Sequence, residues 1–307
     1  MTVSSTANRP TLTPAVWGML ILLGVIWGGS FFFARIAVAE IDPIVLVLER
    51  VAIAAIALQL YLLAAGPSFA TALPHAGRFF ALALLNNVIP FSLIFAGQTQ
   101  MGAGLASVLN ATTPMWTLIV ASLLTADEKL SWNKVAGIIF GIAGTAVMIG
   151  PGLLAGLGGP VWAKFALIGA SLSYAFALVF ARRQFSGVPS EIVATGQLTA
   201  STIIMIPVVL LAYGPSSLLA GSAPVWTAVM ALALLSTAFA YILYFRIIAA
   251  AGATNASLVT LIVPVSAMLL GVLFLGERLE TFEVVGMVLI GLGLVTIDGR
   301  LFARRTS

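Results

Sequence analysis

The sequence predicts an all-α membrane protein: ten transmembrane helices, built as two inverted five-helix repeats around a central cavity. Three observations predict it. The chain is 61% hydrophobic and 8% charged, against about 45–50% and about 25% for a soluble domain. Its apolar residues gather into runs of roughly 18–23, the length at which a helix crosses a bilayer. The later runs repeat residues of the earlier ones at a nearly constant offset.

Taken in order, residues 1–15 are polar, carry Pro10, and read as a cytoplasmic tail. The first run, 16–34, is followed by Ala37-Val38-Ala39, which mimics a signal-peptidase site. The run exceeds the roughly 7–15 residues of a signal core and has a counterpart later, so it reads as a membrane helix. Runs at 44–64, 77–97, 103–124 and 133–150 complete a first repeat over 16–150. Residues 151–161 form a linker. Runs at 162–181, 191–212, 225–247, 254–275 and 282–299 make the second repeat, 162–299, and 300–307 a basic cytoplasmic tail. The connections are short and leave no room for a soluble catalytic domain.

The repeat is clearest where Gly102-Ala103-Gly104-Leu105-Ala106-Ser107 to Pro114 recurs as Gly252-Ala253-Thr254-Asn255-Ala256-Ser257 to Pro264. Ala81-Leu82-Ala83-Leu84-Leu85 recurs as Ala231-Leu232-Ala233-Leu234-Leu235. Trp27 answers to Tyr174, Arg50 to Gln197, and Ala34-Arg35 to Ala181-Arg182. Glu128-Lys129-Leu130 answers to Glu277-Arg278-Leu279, and Gly137 and Gly144 to Gly286 and Gly293. Pro114 and Pro264 have no N–H for the carbonyl four residues back, so the backbone should loosen beside Asn110 and Thr260. Paired, Pro-interrupted apolar segments are a sequence pointer to a transporter's binding site.

Charge sets the orientation. With the N-terminus inside, the inner segments hold Arg9, Arg78, Lys129, Lys134, Arg182, Arg183, Arg246, Arg300, Arg304 and Arg305. The outer ones hold only Arg35, Arg50, Lys164 and Arg278. That bias places both termini in the cytoplasm. An odd number of helices per repeat turns the second copy upside down, and two such halves can exchange conformations. The expected behaviour is alternating access rather than a static channel or an enzyme.

At this point Trp27-Gly28-Gly29-Ser30-Phe31, Arg50, the Ala-Ser…Pro helices and the Glu-Lys-Leu and Glu-Arg-Leu segments resemble the drug/metabolite transporter superfamily, EamA branch. The resemblance covers about 16–299. Within that branch the chain is similar to YddG-type aromatic amino-acid exporters of the bacterial inner membrane. It implies ten helices in two inverted halves, a central cavity and efflux of small metabolites.

The expected substrate-binding residues come from face and spacing. Ser107 and Asn110 share a helix face with Pro114, and Ser257 and Thr260 share one with Pro264. An Asn amide cannot face lipid. Asn87 and Phe91 in the third helix answer to Thr237 and Tyr241 in the eighth, and Tyr244 continues that face. Trp27, Phe31 and Tyr174 complete an aromatic wall. Rings with hydroxyl and amide groups suit a flat, partly polar solute. Pro114 and Pro264 are the expected hinges.

Exclusions narrow the class. The chain has no cysteine and one histidine, His75, in a connecting segment. No catalytic residue, metal or cofactor is expected. Glu49, Arg50, Glu191, Arg246 and Asp298 read as lying near run ends, so the pocket is expected to be uncharged and its solute neutral or zwitterionic. Glu128-Lys129 and Glu277-Arg278 read as fixing the turns after the fourth and ninth helices. Gly24-x-x-x-Gly28 and Gly137-x-x-x-Gly141 are close-packing faces, within the chain or between chains. The expected partners are a small-molecule substrate and the lipid bilayer, with no nucleic acid; a monomer is allowed. The expected function is export of small neutral metabolites, aromatic and other neutral amino acids first. The alternative is broad export of apolar or cationic drugs.

Overall fold

A computed structural model describes residues 13–65, 67–124, 131–155, 160–251, 253–256 and 258–298. Among these residues all regular structure is helical. We number the main helices α1 (Pro14–Ala37), α2 (Pro43–Ala65), α3 (Ala76–Gln98), α4 (Ala103–Leu124) and α5 (Trp132–Ala155). The series continues with α6 (Val161–Gln184), α7 (Ser190–Ala212), α8 (Ala223–Ala251), α9 (Val259–Leu275) and α10 (Thr281–Asp298). Seven of them are long and apolar enough to cross a membrane, while α5, α9 and α10 carry the shorter apolar helices Trp132–Met148, Val259–Leu275 and Thr281–Ile297. α5 runs past the boundary expected at 150.

Local chemistry starts the helices. The Thr13 hydroxyl accepts the Val16 N–H at 3.3 Å ahead of Pro14, and Asp42 accepts the Ile44 N–H at 2.9 Å ahead of Pro43. A side-chain cap followed by Pro in the first turn is the ordinary way to satisfy a helix start. The packing is inside-out for a protein in water. Asn87, Gln98, Lys164 and Ser171 are fully buried, whereas Leu63, Leu123, Leu211 and Phe274 stand on the outside. That distribution fits an apolar solvent, in which polar side chains turn toward the bundle interior.

The helix partners form a set with one rule. α1 packs on α8 and α9, while α6 packs on α3 and α4. α2 packs on α8, while α7 packs on α3. α2 meets α7, α4 meets α9, and α5 meets α10. Exchanging each helix for the one five places along reproduces the same set. Glycines give the directions. A Cβ on Gly137 would stand 2.7 Å from the Gly293 carbonyl oxygen, and one on Gly144 2.6 Å from that of Gly286. The pairing order is reversed along the chain, so α5 and α10 run in opposite directions. Gly24 and Gly28 lie against Ile262 and Ser266, in the same order, so α1 and α9 run parallel within one chain.

The π-helical stretches and the Pro264 segment differ from the sequence expectations, while the break in α4 falls beside Asn110 as expected. α3 contains a π-helical stretch at Leu84–Val88, and α8 one at Ala231–Phe239, at matching places in the two halves. α4 is interrupted between Asn110 and Thr113, with Pro114 in the first turn of its second piece. In the other half Pro264 sits inside the helix Val259–Leu275, with no break at the place that matches the one in α4. The two prolines therefore do not act as matched breaks.

Glu277 also departs from its expected role at the turn after α9. Its carboxylate reaches the other half and accepts the backbone N–H groups of Ala103 at 2.6 Å and Gly104 at 3.1 Å. This is the start of α4, where free N–H groups and the helix dipole favour an anion. A Cβ on Gly102 or Gly271 would overlap that carboxylate. The equivalent segment Glu128-Lys129-Leu130 lies outside the described residues.

Candidate binding cavity

Both halves line a cavity of about 380 Å³. α1 contributes Trp27, Ser30 and Phe31; α2 contributes Arg50; α3 contributes Asn86, Phe91, Phe95 and Gln98. α4 adds Ser107, Asn110, Thr113 and Pro114. From the second half come Tyr174 of α6, Gln197 of α7, Ser236, Thr237, Tyr241 and Tyr244 of α8, and Thr260 of α9. Among the described residues the α5–α10 pair contributes none of this lining.

The π-helical stretches aim the polar groups. In α8 the Thr237 hydroxyl donates to the Leu232 carbonyl five residues back at 2.9 Å, a partner that the wider π turn brings within reach. Its oxygen accepts from Arg50 Nε at 3.0 Å. Ser236 donates to the Ile26 carbonyl at 3.0 Å, tying α8 to α1. At the matching crossing Ser173 of α6 donates to the Leu85 carbonyl of α3 at 2.7 Å. In α3 the Asn86 amide donates to Gln197 Oε1 at 2.9 Å. The Arg50–Thr237 bond between α2 and α8 thus faces an Asn86–Gln197 bond between α7 and α3. π stretches inside helices are frequent at functional sites.

The break in α4 is satisfied from two sides. The Asn110 carbonyl, four residues before Pro114, accepts from the Thr113 hydroxyl at 2.7 Å and the Ser171 hydroxyl at 3.3 Å. The Asn110 side-chain oxygen is buried and has no hydrogen-bond partner. Gln98 is similar: its amide donates to the Phe31 carbonyl at 2.8 Å, and its side-chain oxygen is buried and unpartnered. An orphaned buried acceptor costs about 1–3 kcal/mol.

Aromatic rings form the rest. Trp27 and Tyr244 stand 5.3 Å apart at 47°, and Tyr244 and Tyr241 both lean on Phe245. The Arg50 guanidinium lies 3.8 Å over the Phe91 ring and 5.7 Å from that of Phe95. This stack corrects the expectation of an uncharged pocket. Arg50 is the eighth residue of α2, about 10 Å along its axis, not at a helix end.

Trp27, Phe31, Phe91, Ser107, Asn110, Tyr174, Thr237, Tyr241, Tyr244, Thr260 and Pro114 all reach the lining. Asn87 does not. It is fully buried between α3 and α7, where its amide donates to the Ser201 hydroxyl at 3.0 Å, and its neighbour Asn86 takes the cavity position. The π stretch shifts that part of α3 away from the regular helical register used to choose between them. Pro264 is buried outside the lining, and Ser257 lies outside the described residues. Arg50, Asn86, Gln98 and Gln197 were missed by face counting. The match of Arg50 to Gln197 across the repeat was the available signal.

Comparison with known proteins gives a consistent result. The model of the EamA-like transporter family matches residues 16–150 and again 161–297. The chain is 29% identical to an inner membrane transporter, YedA, of Escherichia coli (strain K12), described as uncharacterized, over 94% of this chain and 92% of that protein. It is 26% identical to the transporter YoaV of Bacillus subtilis (strain 168), over 93% of this chain and 97% of that protein. A probable terminal-alkyne amino-acid exporter of Streptantibioticus cattleyicolor is 25% identical, with 96% of each chain covered. A crystal structure at 21% identity matches with a TM-score of 0.65 over 95% of this chain and 99% of that one, a likeness of fold alone.

Proposed function

The chain belongs to the EamA-like transporter family, and on that premise we propose that it is a secondary transporter of the bacterial inner membrane. In this reading it exports small neutral metabolites, with aromatic and other neutral amino acids first, by alternating access. The observation that carries the reading is a single cavity lined by equivalent helices of both halves. The opposed directions of α5 and α10 support an inverted repeat of ten helices. Two states of similar energy then follow from exchanging the roles of the halves. The break in α4 supplies a place to bend, and the charge bias supports cytoplasmic termini.

The lining supports the solute class. Trp27, Phe31, Tyr241 and Tyr244 offer ring surface, while Asn86, Asn110, Gln98 and Gln197 offer amides. About 380 Å³ falls within the roughly 300–1,000 Å³ of small-molecule sites. The YddG-type resemblance and the amino-acid exporter among the relatives point the same way. Export of cationic drugs is disfavoured by Arg50, which would repel a cation in the same space.

Purified protein in liposomes, offered labelled phenylalanine, tryptophan, threonine and an organic cation, tests the reading. Saturable flux of the amino acids is the expected result. Cation flux with flat amino-acid signals would overturn it.

A further inference from the structure

The same cavity carries a sharper statement about its ligand, which rests on the transport reading above. We propose that Arg50 is the carboxylate site of the cavity, and that the orphaned oxygens of Asn110 and Gln98 receive the ammonium group of the same free α-amino acid.

Arg50 is a buried cation whose charge is not matched. Its residue is 7% exposed, and among the described residues its hydrogen bonding is from Nε to the Thr237 hydroxyl. The guanidinium carbon stands 3.8 Å over the Phe91 ring, which supports it from one side. Among the described residues no carboxylate pairs with it, and no acid stands in the cavity lining. Removing an ion from water costs several kcal/mol unless a counter-charge and hydrogen bonds are supplied. A bound carboxylate supplies both, because the two outer nitrogens of a guanidinium match its two oxygens.

The opposite need appears elsewhere in the lining. Asn110 Oδ1 and Gln98 Oε1 are buried acceptors without donors, on two residues of the lining. The Gln98 amide nitrogen is already bound to the Phe31 carbonyl, which leaves its oxygen for a ligand. An ammonium brings three donors and no acceptor, and so complements such oxygens. Phe91, Phe95 and Gln98 follow at i, i+4 and i+7, one face of α3. Gln98 is thus about one turn, ~5 Å, beyond Phe95, the farther of the two rings beside the guanidinium. Because the acceptors are neutral amides, an amine without a carboxylate gains little here. The side chain is left to the Trp27–Tyr244 wall.

The test reads binding to the detergent-purified full chain, using tritiated L-phenylalanine competed by phenethylamine and by 3-phenylpropanoate. Loss of either charged group should weaken competition by about 10- to 100-fold. Arg50→Gln should weaken phenylalanine by a similar factor and bind phenethylamine no more weakly than the unmodified protein, an outcome that a general loss of packing would not produce. If that variant does not fold, the ligand series on the unmodified protein decides. Phenethylamine competing as well as phenylalanine, or no phenylalanine binding at all, overturns the proposal. Saturable phenylalanine flux in liposomes would then leave the export reading standing. Ligand discrimination as expected, with no flux, would instead remove the export reading and keep the site.

Discussion

At the scale of single residues, the polar groups of the cavity matter through what they lack. Asn110 presents an unpartnered buried oxygen, and Trp27 supplies ring surface beside Tyr244. Asn110→Ala or Trp27→Ala should cut amino-acid flux in liposomes by roughly tenfold, with membrane expression unchanged; wild-type flux in both would remove them from the site. Asn110, Trp27 and the α8 tyrosines were legible in the sequence, because a polar or aromatic group in the middle of an apolar run has few places to go. Arg50 was not. The expected run, 44–64, matches α2 to within a residue, but a long cation seven residues into a run can reach back to the interface, and the rings that hold Arg50 come from α3. The choice between Asn86 and Asn87 was equally hidden, since a π stretch alters the face on which a residue emerges.

At the scale of elements, the crossings of α5 with α10 and of α9 with α4 are built differently. The first is a seam of glycines in which backbone meets backbone. Gly144→Val would push a branched side chain against the Gly286 carbonyl, which cannot yield. It should destabilise the protein by about 1–3 kcal/mol, seen as a lower midpoint in thermal unfolding in detergent. The second crossing is closed by a charge, the Glu277 carboxylate on the start of α4. Glu277→Gln keeps the shape and removes the charge–dipole attraction, worth about 0.3–1 kcal/mol and up to ~2 when partly buried. Cysteines placed in the cavity should then label faster from that side of the membrane, and an unchanged labelling rate would show that the clasp does not restrain opening. The helices themselves were legible as apolar runs. The π stretches and the clasp were not, because both depend on partners more than a hundred residues away in sequence.

At the scale of the whole molecule, the duplication was readable from repeated Gly, Pro and Glu positions, and the family model matches twice along the chain. The direction of the second copy is a separate matter, tested by topology. In an otherwise unmodified chain, which holds no cysteine, Arg35→Cys should react with an impermeant thiol reagent from outside. Arg182→Cys, its counterpart in the repeat, should react only from inside. Both reacting from one side would remove the inverted arrangement and the exchange of roles built on it. The glycine seam bears on the same point in another way. Gly137 meets Gly293 and Gly144 meets Gly286, so each half shows the other the surface it receives. A contact of that kind is self-complementary. A lone half-length chain inserted in both directions would carry glycines on both sides of such a contact, with Gly141 standing where the second half has Ile290.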